Sequence, residues 1–147
     1  MEVNRFKLQG LIGLPYDQEV MTCGHLVALG LQRLFGRDVA VPAGWPHGRL
    51  GQAKLIEALA EQLTERVDLP DSGDVGLYLT VDPETGLDYY HLGLVLVMAG
   101  ERWLLHVCVG ERSRLQREGE ACQRGMRLDG YYRLRQEGGR HGDACGA

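Results

Sequence analysis

The chain has 147 residues, 44% hydrophobic and 24% charged, with a formal net charge of −4 at neutral pH. That length holds one core without disulfide or metal staples, and the negative balance repels a phosphate backbone, which excludes nucleic acid as the expected partner. The longest apolar stretch, residues 92–99, falls far short of the ~20 residues that span a bilayer, so no membrane span is expected.

The first ten residues mix charge with apolar side chains and lack the continuous apolar core of a secretion signal. Gly13-Leu14-Pro15-Tyr16-Asp17 reads as a turn, because Pro fixes its own φ and pushes the preceding residue out of helical geometry. A helix follows over Cys23–Phe35: Leu26, Val27, Leu31 and Leu34 recur at helical spacing, Thr22 suits the N-cap, and Gly36 sits where a C-terminal glycine is favoured. Residues 41–51 read as a surface loop bearing Trp45 and His47. A second helix is expected from about Gln52, with Leu55, Ile56, Leu59 and Leu63 on one buried stripe, ending by Leu69-Pro70-Asp71.

From Gly76 the pattern changes to short runs rich in Val, Leu and aromatics, at 76–81, 91–98 and 103–109, separated by Gly, Pro and Asp. These predict consecutive antiparallel strands, with weaker candidates at 115–117 and 131–134. Residues 1–135 then form one domain, and 136–147 a Gly-rich polar tail. Helices first and sheet second indicate an α+β fold.

A cysteine in the first turn of a helix gains thiolate character from unpaired backbone N–H groups, which marks Cys23 as a candidate nucleophile. The strands supply its partners. If the hairpin reverses at Ala99-Gly100, Val97 pairs with Arg102, Gly93 lies opposite His106 and His91 opposite Cys108. His91 and His106 then share a face, offset by roughly 7 Å of strand, while Leu92, Leu94 and Leu96 face the other side as core. Nucleophile, base and orienter are thus Cys23, His91 and His106, and the reaction class is acyl transfer or hydrolysis. The Cys23 backbone N–H, with Tyr16 or Gln18 just upstream, is the candidate oxyanion hole, and His25 is expected at the helix start or lining the cleft. Cys23, His25, His91 and His106 are zinc-competent residue types, yet Cys-x-His at a helix start is not a familiar zinc spacing, so no metal or other cofactor is expected. The four cysteines, Cys23, Cys108, Cys122 and Cys145, form no C-x-x-C pair, and reduced thiols are expected. His47 and His141 fall in expected loops.

These motifs resemble the NlpC-type cell-wall cysteine peptidases, in particular the forms found in phage tail tips. Gly13-Leu14-Pro15-Tyr16 resembles the family's G-x-P-Y segment, Cys23-Gly24-His25-Leu26-Val27 its nucleophile box, and Asp71-Ser72-Gly73-Asp74-Val75 its P-G-D-x turn. His91-Leu92-Gly93-Leu94-Val95-Leu96 is similar to the H-V-G-I-Y-L strand of the base, Leu104-Leu105-His106 to the strand of the third residue, and Gly130-Tyr131-Tyr132-Arg133 to the G-(F/Y)-Y-R ending. The box departs from D-C-S/W-G-L-V, with Thr22 for the acid, Gly24 for Ser or an aromatic residue, and His25 for Gly.

The resemblance implies a papain-like fold, N-terminal helices on a small antiparallel sheet, and Cys23, His91 and His106 as the catalytic set. It further implies hydrolysis of peptidoglycan stem peptides as the phage enters the cell. The protein would sit in the virion, at the tail tip among other tail-tip proteins, and act in the host cell wall or periplasm. A structural tail-tip component of the same fold with a latent site is the alternative.

Overall fold

The computed structural model describes residues 2–17, 19–39, 63–81 and 85–134. The expected loop at 41–51, the expected helix from Gln52, Gln18 and the tail at 136–147 lie outside the described residues.

The fold is α+β. Its elements are α1 (Arg5–Gln9), α2 (Cys23–Phe35), β1 (Leu63–Val67), β2 (Val75–Val81), β3 (Asp88–Met98), β4 (Glu101–His106), β5 (Arg114–Arg117), α3 (Glu118–Gln123) and β6 (Arg127–Leu134). The six strands form one antiparallel sheet in the order β1-β6-β2-β3-β4-β5.

Helix α2 is set by its ends. Thr22 is extended and its side chain accepts from the His25 N–H, while the His25 ring accepts from the Thr22 N–H, a reciprocal capping box. Gly36 takes a left-handed φ of 67° and donates to Gln32 O, and Arg37 donates to Leu31 O, which closes the last turn. Between these ends Leu26, Val27, Leu31 and Leu34 join a core with Leu92, Leu94, Leu96 and Leu105, so α2 covers that face of β3 and β4. Gly30 lets the helix approach closely, since a Cβ there would lie 2.6 Å from Leu94 Cδ2.

The other face holds Tyr78, Val95, Leu104, Met126, Tyr131 and the α3 residue Ala121. Glu118 at the start of α3 anchors it, accepting from Tyr78 Oη at 2.8 Å, Tyr131 Oη at 2.5 Å and Arg102 Nε at 2.8 Å. Burial pushes this carboxyl up, but the three hydrogen bonds outweigh burial and hold it below the ordinary glutamate range. Burial and the neighbouring carboxylate push both tyrosine hydroxyls up, so they stay donors.

Three expectations change. Leu63, assigned by periodicity to a helical stripe, opens β1, whose ladder with β6 supplies the backbone partners that decide the segment. A strand thus stands ahead of the sheet region. Two short helices, α1 and α3, were not expected; Asn4 caps α1 by accepting from the Lys7 N–H. The strand expected over 103–109 ends at His106, because Glu111 N–H donates to Cys108 O and Gly110 turns the chain at φ 78°.

Leu94 is fully buried and has nowhere to yield. Gly30→Val is therefore expected to cost about 1–3 kcal/mol by overpacking, read as a lower urea midpoint with an unchanged slope.

Candidate active site

The turn between β3 and β4 is Ala99-Gly100, both residues at positive φ, and the ladder pairs Met98 with Glu101, Val97 with Arg102 and Leu94 with Leu105. This register sets the faces. His91 pairs directly with Tyr78 on β2 and so shares its face, opposite the α2 core. His106, two residues after Leu104, stands on that same face. His91 Nε2 and His106 Nδ1 lie 2.9 Å apart, with the rings edge to face at 75°. Gly93 provides the room: a Cβ there would meet Leu104 Cδ2 at 3.3 Å and His106 Cβ at 3.7 Å.

The relay continues to β5. His106 Nε2 lies 3.0 Å from Gln116 Oε1, and an amide oxygen only accepts, so His106 carries its proton on Nε2 and donates it. Nδ1 of His106 is then an acceptor, and His91 donates from Nε2 to it. In a neutral imidazole this leaves Nδ1 of His91 as the basic nitrogen. Gln116 thereby dictates the tautomer of both rings. It was missed from the sequence, although a β4–β5 hairpin placing Gln116 opposite Leu104 would have put it on the histidine face.

Both histidines are buried, at 3% and 2% exposure. Burial, and next the adjacent His106, push the His91 imidazole down to about 3. Burial also lowers His106, opposed by the hydrogen bond to Gln116 and assisted by the Arg114 guanidinium. The pair is therefore neutral at physiological pH.

Cys23 occupies the first position of α2 and is 2% exposed. Its loop is tied to the connection between β4 and β5. Ser113 N–H donates to Leu14 O, Ser113 Oγ donates to Leu11 O and accepts from Leu14 N–H, and Tyr16 N–H donates to Glu111 O. Asp17 Oδ1 then accepts from the Glu19 and Val20 N–H groups, a turn that delivers the chain to Thr22. Tyr16 packs on the α2 core, and burial followed by the nearby Cys23 pushes its hydroxyl up.

Cys23 belongs to the core cluster of Leu92, Leu94 and Leu96, on the α2 side of the sheet. His91, His106 and Cys108 are brought together, their ligand atoms all within 4.8 Å of one another, and Cys23 stands near enough to Cys108 to push its thiol up. In the sequence Cys108 was read as one of four reduced thiols and as the residue opposite His91, whereas the β3–β4 ladder ends at Leu94–Leu105, short of that pair. Beyond Leu94–Leu105, β3 is laddered to β2 alone. His25 is half-buried, its ring committed to the cap, with Nδ1 2.8 Å from Thr22 Oγ1. Gln18 lies outside the described residues.

No protein-family model matches the chain, and neither does any curated protein.

Burial lowers His25 as well, with Asp17 opposing. A histidine depressed in the folded state contributes stability that is complete above its unfolded value of 6.5 and is lost as pH falls toward the folded value. His25, His91 and His106 all act in this sense, so urea unfolding is expected to show stability falling from pH 6.5 to 5, ahead of the carboxylates. Each histidine that stays neutral when folded contributes a slope of about 1.4 kcal/mol per pH unit at most. His25→Gln keeps a capping-box acceptor and removes one titrating group, so its curve should be shallower at equal stability near pH 7.5.

Proposed function

We propose that this protein is a papain-like cysteine peptidase of NlpC type that hydrolyses peptidoglycan stem peptides from a phage tail tip. The observation that carries the reading is the buried 2.9 Å contact between His91 and His106, completed by Gln116. Two imidazoles held neutral in fixed tautomers on adjacent strands match a base and its orienter. The position of Cys23, in the first turn of a capped helix and beside Tyr16, supports it as the nucleophile.

In this mechanism His91 Nδ1 takes the Cys23 thiol proton, and the thiolate attacks the scissile carbonyl. The α2 N-terminus faces the developing oxyanion with the Cys23 N–H, and Tyr16 Oη is the candidate second donor. His91 then returns the proton to the leaving amine, and water, activated by the same nitrogen, releases the acyl group from sulfur. His106 and Gln116 hold the ring throughout and stabilise the imidazolium as it forms.

A structural tail-tip role with a latent site is the second reading. It is favoured by the burial of both groups, Cys23 at 2% and His91 at 3% exposure.

The test is mass spectrometry of fragments released from purified sacculi by the parent, Cys23→Ala and Cys108→Ala. The peptidase reading expects new stem-peptide termini from the parent and from Cys108→Ala, and none from Cys23→Ala. Iodoacetamide mapping at pH 7 should label Cys23 ahead of Cys108, whose thiol burial pushes up. Absence of cleavage over several wall chemotypes, with slow Cys23 labelling, would favour the latent site. Gln116→Ala is expected to lower kcat by about 10-fold or more with little change in KM, because the ring loses its fixed tautomer rather than its substrate contacts.

A further inference from the structure

The cluster of His91, His106 and Cys108 has a chemistry that the hydrolytic scheme does not use. We propose that His91 Nε2, His106 Nδ1 and Cys108 Sγ form a three-ligand zinc site, with the fourth position left to water, and that zinc held there switches the histidine relay off.

The argument is geometric. Two imidazole nitrogens and one sulfur lie within 4.8 Å of one another, two of the residues buried and the third half-buried. Zinc with bonds of about 2.0–2.1 Å to nitrogen and 2.3 Å to sulfur sets neighbouring ligand atoms about 3.4 Å apart in a tetrahedron. The nitrogens stand at 2.9 Å, so accommodating the ion widens the pair by about half an ångström. All three residues come from one strand end and its neighbour, with the backbone held by β2 on one side and β5 on the other.

The surrounding contacts suit a metal ligand. Gln116 Oε1 accepts from His106 Nε2, the outer-shell contact that a zinc-bound histidine uses to present its other nitrogen. Both rings are already neutral. Of the two guanidinium groups that act on the thiol, Arg114 and Arg124, Arg114 is paired with Glu111. A thiol ligand gives up its proton on binding a dication, so metal affinity at Cys108 rises with pH.

Protons balance simply. The proton that His91 shares from Nε2 moves to its Nδ1, His106 keeps its own on Nε2, and Cys108 releases one proton to solvent for each zinc bound. His91 Nδ1 is then an N–H and no longer a base. The inhibition, though not the binding, rests on Cys23 and His91 being nucleophile and base.

The test is titration of the full-length, reduced and chelator-stripped protein with Co(II), read in the near-ultraviolet and visible. The expected result is a thiolate-to-cobalt band saturating at one equivalent with the intense visible envelope of four-coordinate cobalt, reversed by Zn(II). The band should persist in Cys23→Ala, vanish in Cys108→Ser, and need about 10- to 100-fold more cobalt in Gln116→Ala. Imidazole NMR of the parent supplies the answer should Cys108→Ser fail to fold, because zinc must shift the rings of both His91 and His106. No thiolate band at one equivalent, a band that survives in folded Cys108→Ser, or unmoved rings would overturn the site. Cobalt binding by the parent, together with no sacculus cleavage by the metal-free parent, would condemn the peptidase alone.

Discussion

The two-residue reversal at Ala99-Gly100 is the constraint on which the site depends. Both residues occupy the left-handed region, with φ of 53° and 78°, which matches the twist of a tight antiparallel hairpin. Ala99 is a costly choice there, by about 1–2 kcal/mol, and the surrounding structure holds it. Ser72 Oγ accepts from the Val97 N–H at 2.8 Å, Gly73 donates to Val95 O, and Val95 donates to Asp74 O, all just upstream of the turn. Asp74 is itself clamped by Arg133 through two hydrogen bonds of 3.0 and 2.9 Å. A slip of one residue would send His106 to the α2 side and Leu105 into a polar neighbourhood. The turn, the clamp on Val97 and the Asp74–Arg133 pair therefore act together as a register device for two histidines.

Register also explains why two polar networks coexist on one sheet face. The histidine relay sits at one end of β3 and β4, and the Glu118 network, with Tyr78, Tyr131 and Arg102, lies further along. The two meet on β2, where Tyr78 of the second network pairs with His91 of the first. Gln116 closes the far end of the first, and three donors on one carboxylate close the second. A buried polar group left unpaired costs about 1–3 kcal/mol, so closure is what makes both tolerable in a core of this size.

Much of this was readable before any coordinates. Helix α2 announced itself by Thr22, the spacing of its leucines and Gly36, and the β3–β4 hairpin by alternation around Ala99-Gly100. Those two elements place Cys23 at a helix start and the histidines on one face. What the sequence pattern could not supply was which face α2 would cover, because alternation says only that Leu92, Leu94 and Leu96 differ in side from His91. The leucines win the helix, since the apolar surface of Leu26, Leu31 and Leu34 is best buried against them. Leu63 was misread for a related reason: its helical spacing was local, whereas the β6 ladder that claims it is formed by residues 127–134, far along the chain. Gln116 was invisible because its role depends on a third strand, and short α3 because its anchor is a tertiary carboxylate, with no side-chain cap at its start.

The two thiols make different demands on the same imidazole. Cys23 has the helix N-terminus, a setting that favours thiolate, and Cys108 has proximity to both rings, a setting that favours shared coordination. A nucleophile needs His91 Nδ1 as lone pair, which follows when Nε2 is engaged as a donor to His106. A metal ligand needs the reverse, Nε2 as lone pair and Nδ1 as N–H. One ring serves both only in alternation, and Gln116 permits it because the His106 tautomer is common to the two states. If both proposals hold, the proton position on His91 is the variable that couples metal occupancy at Cys108 to reactivity at Cys23.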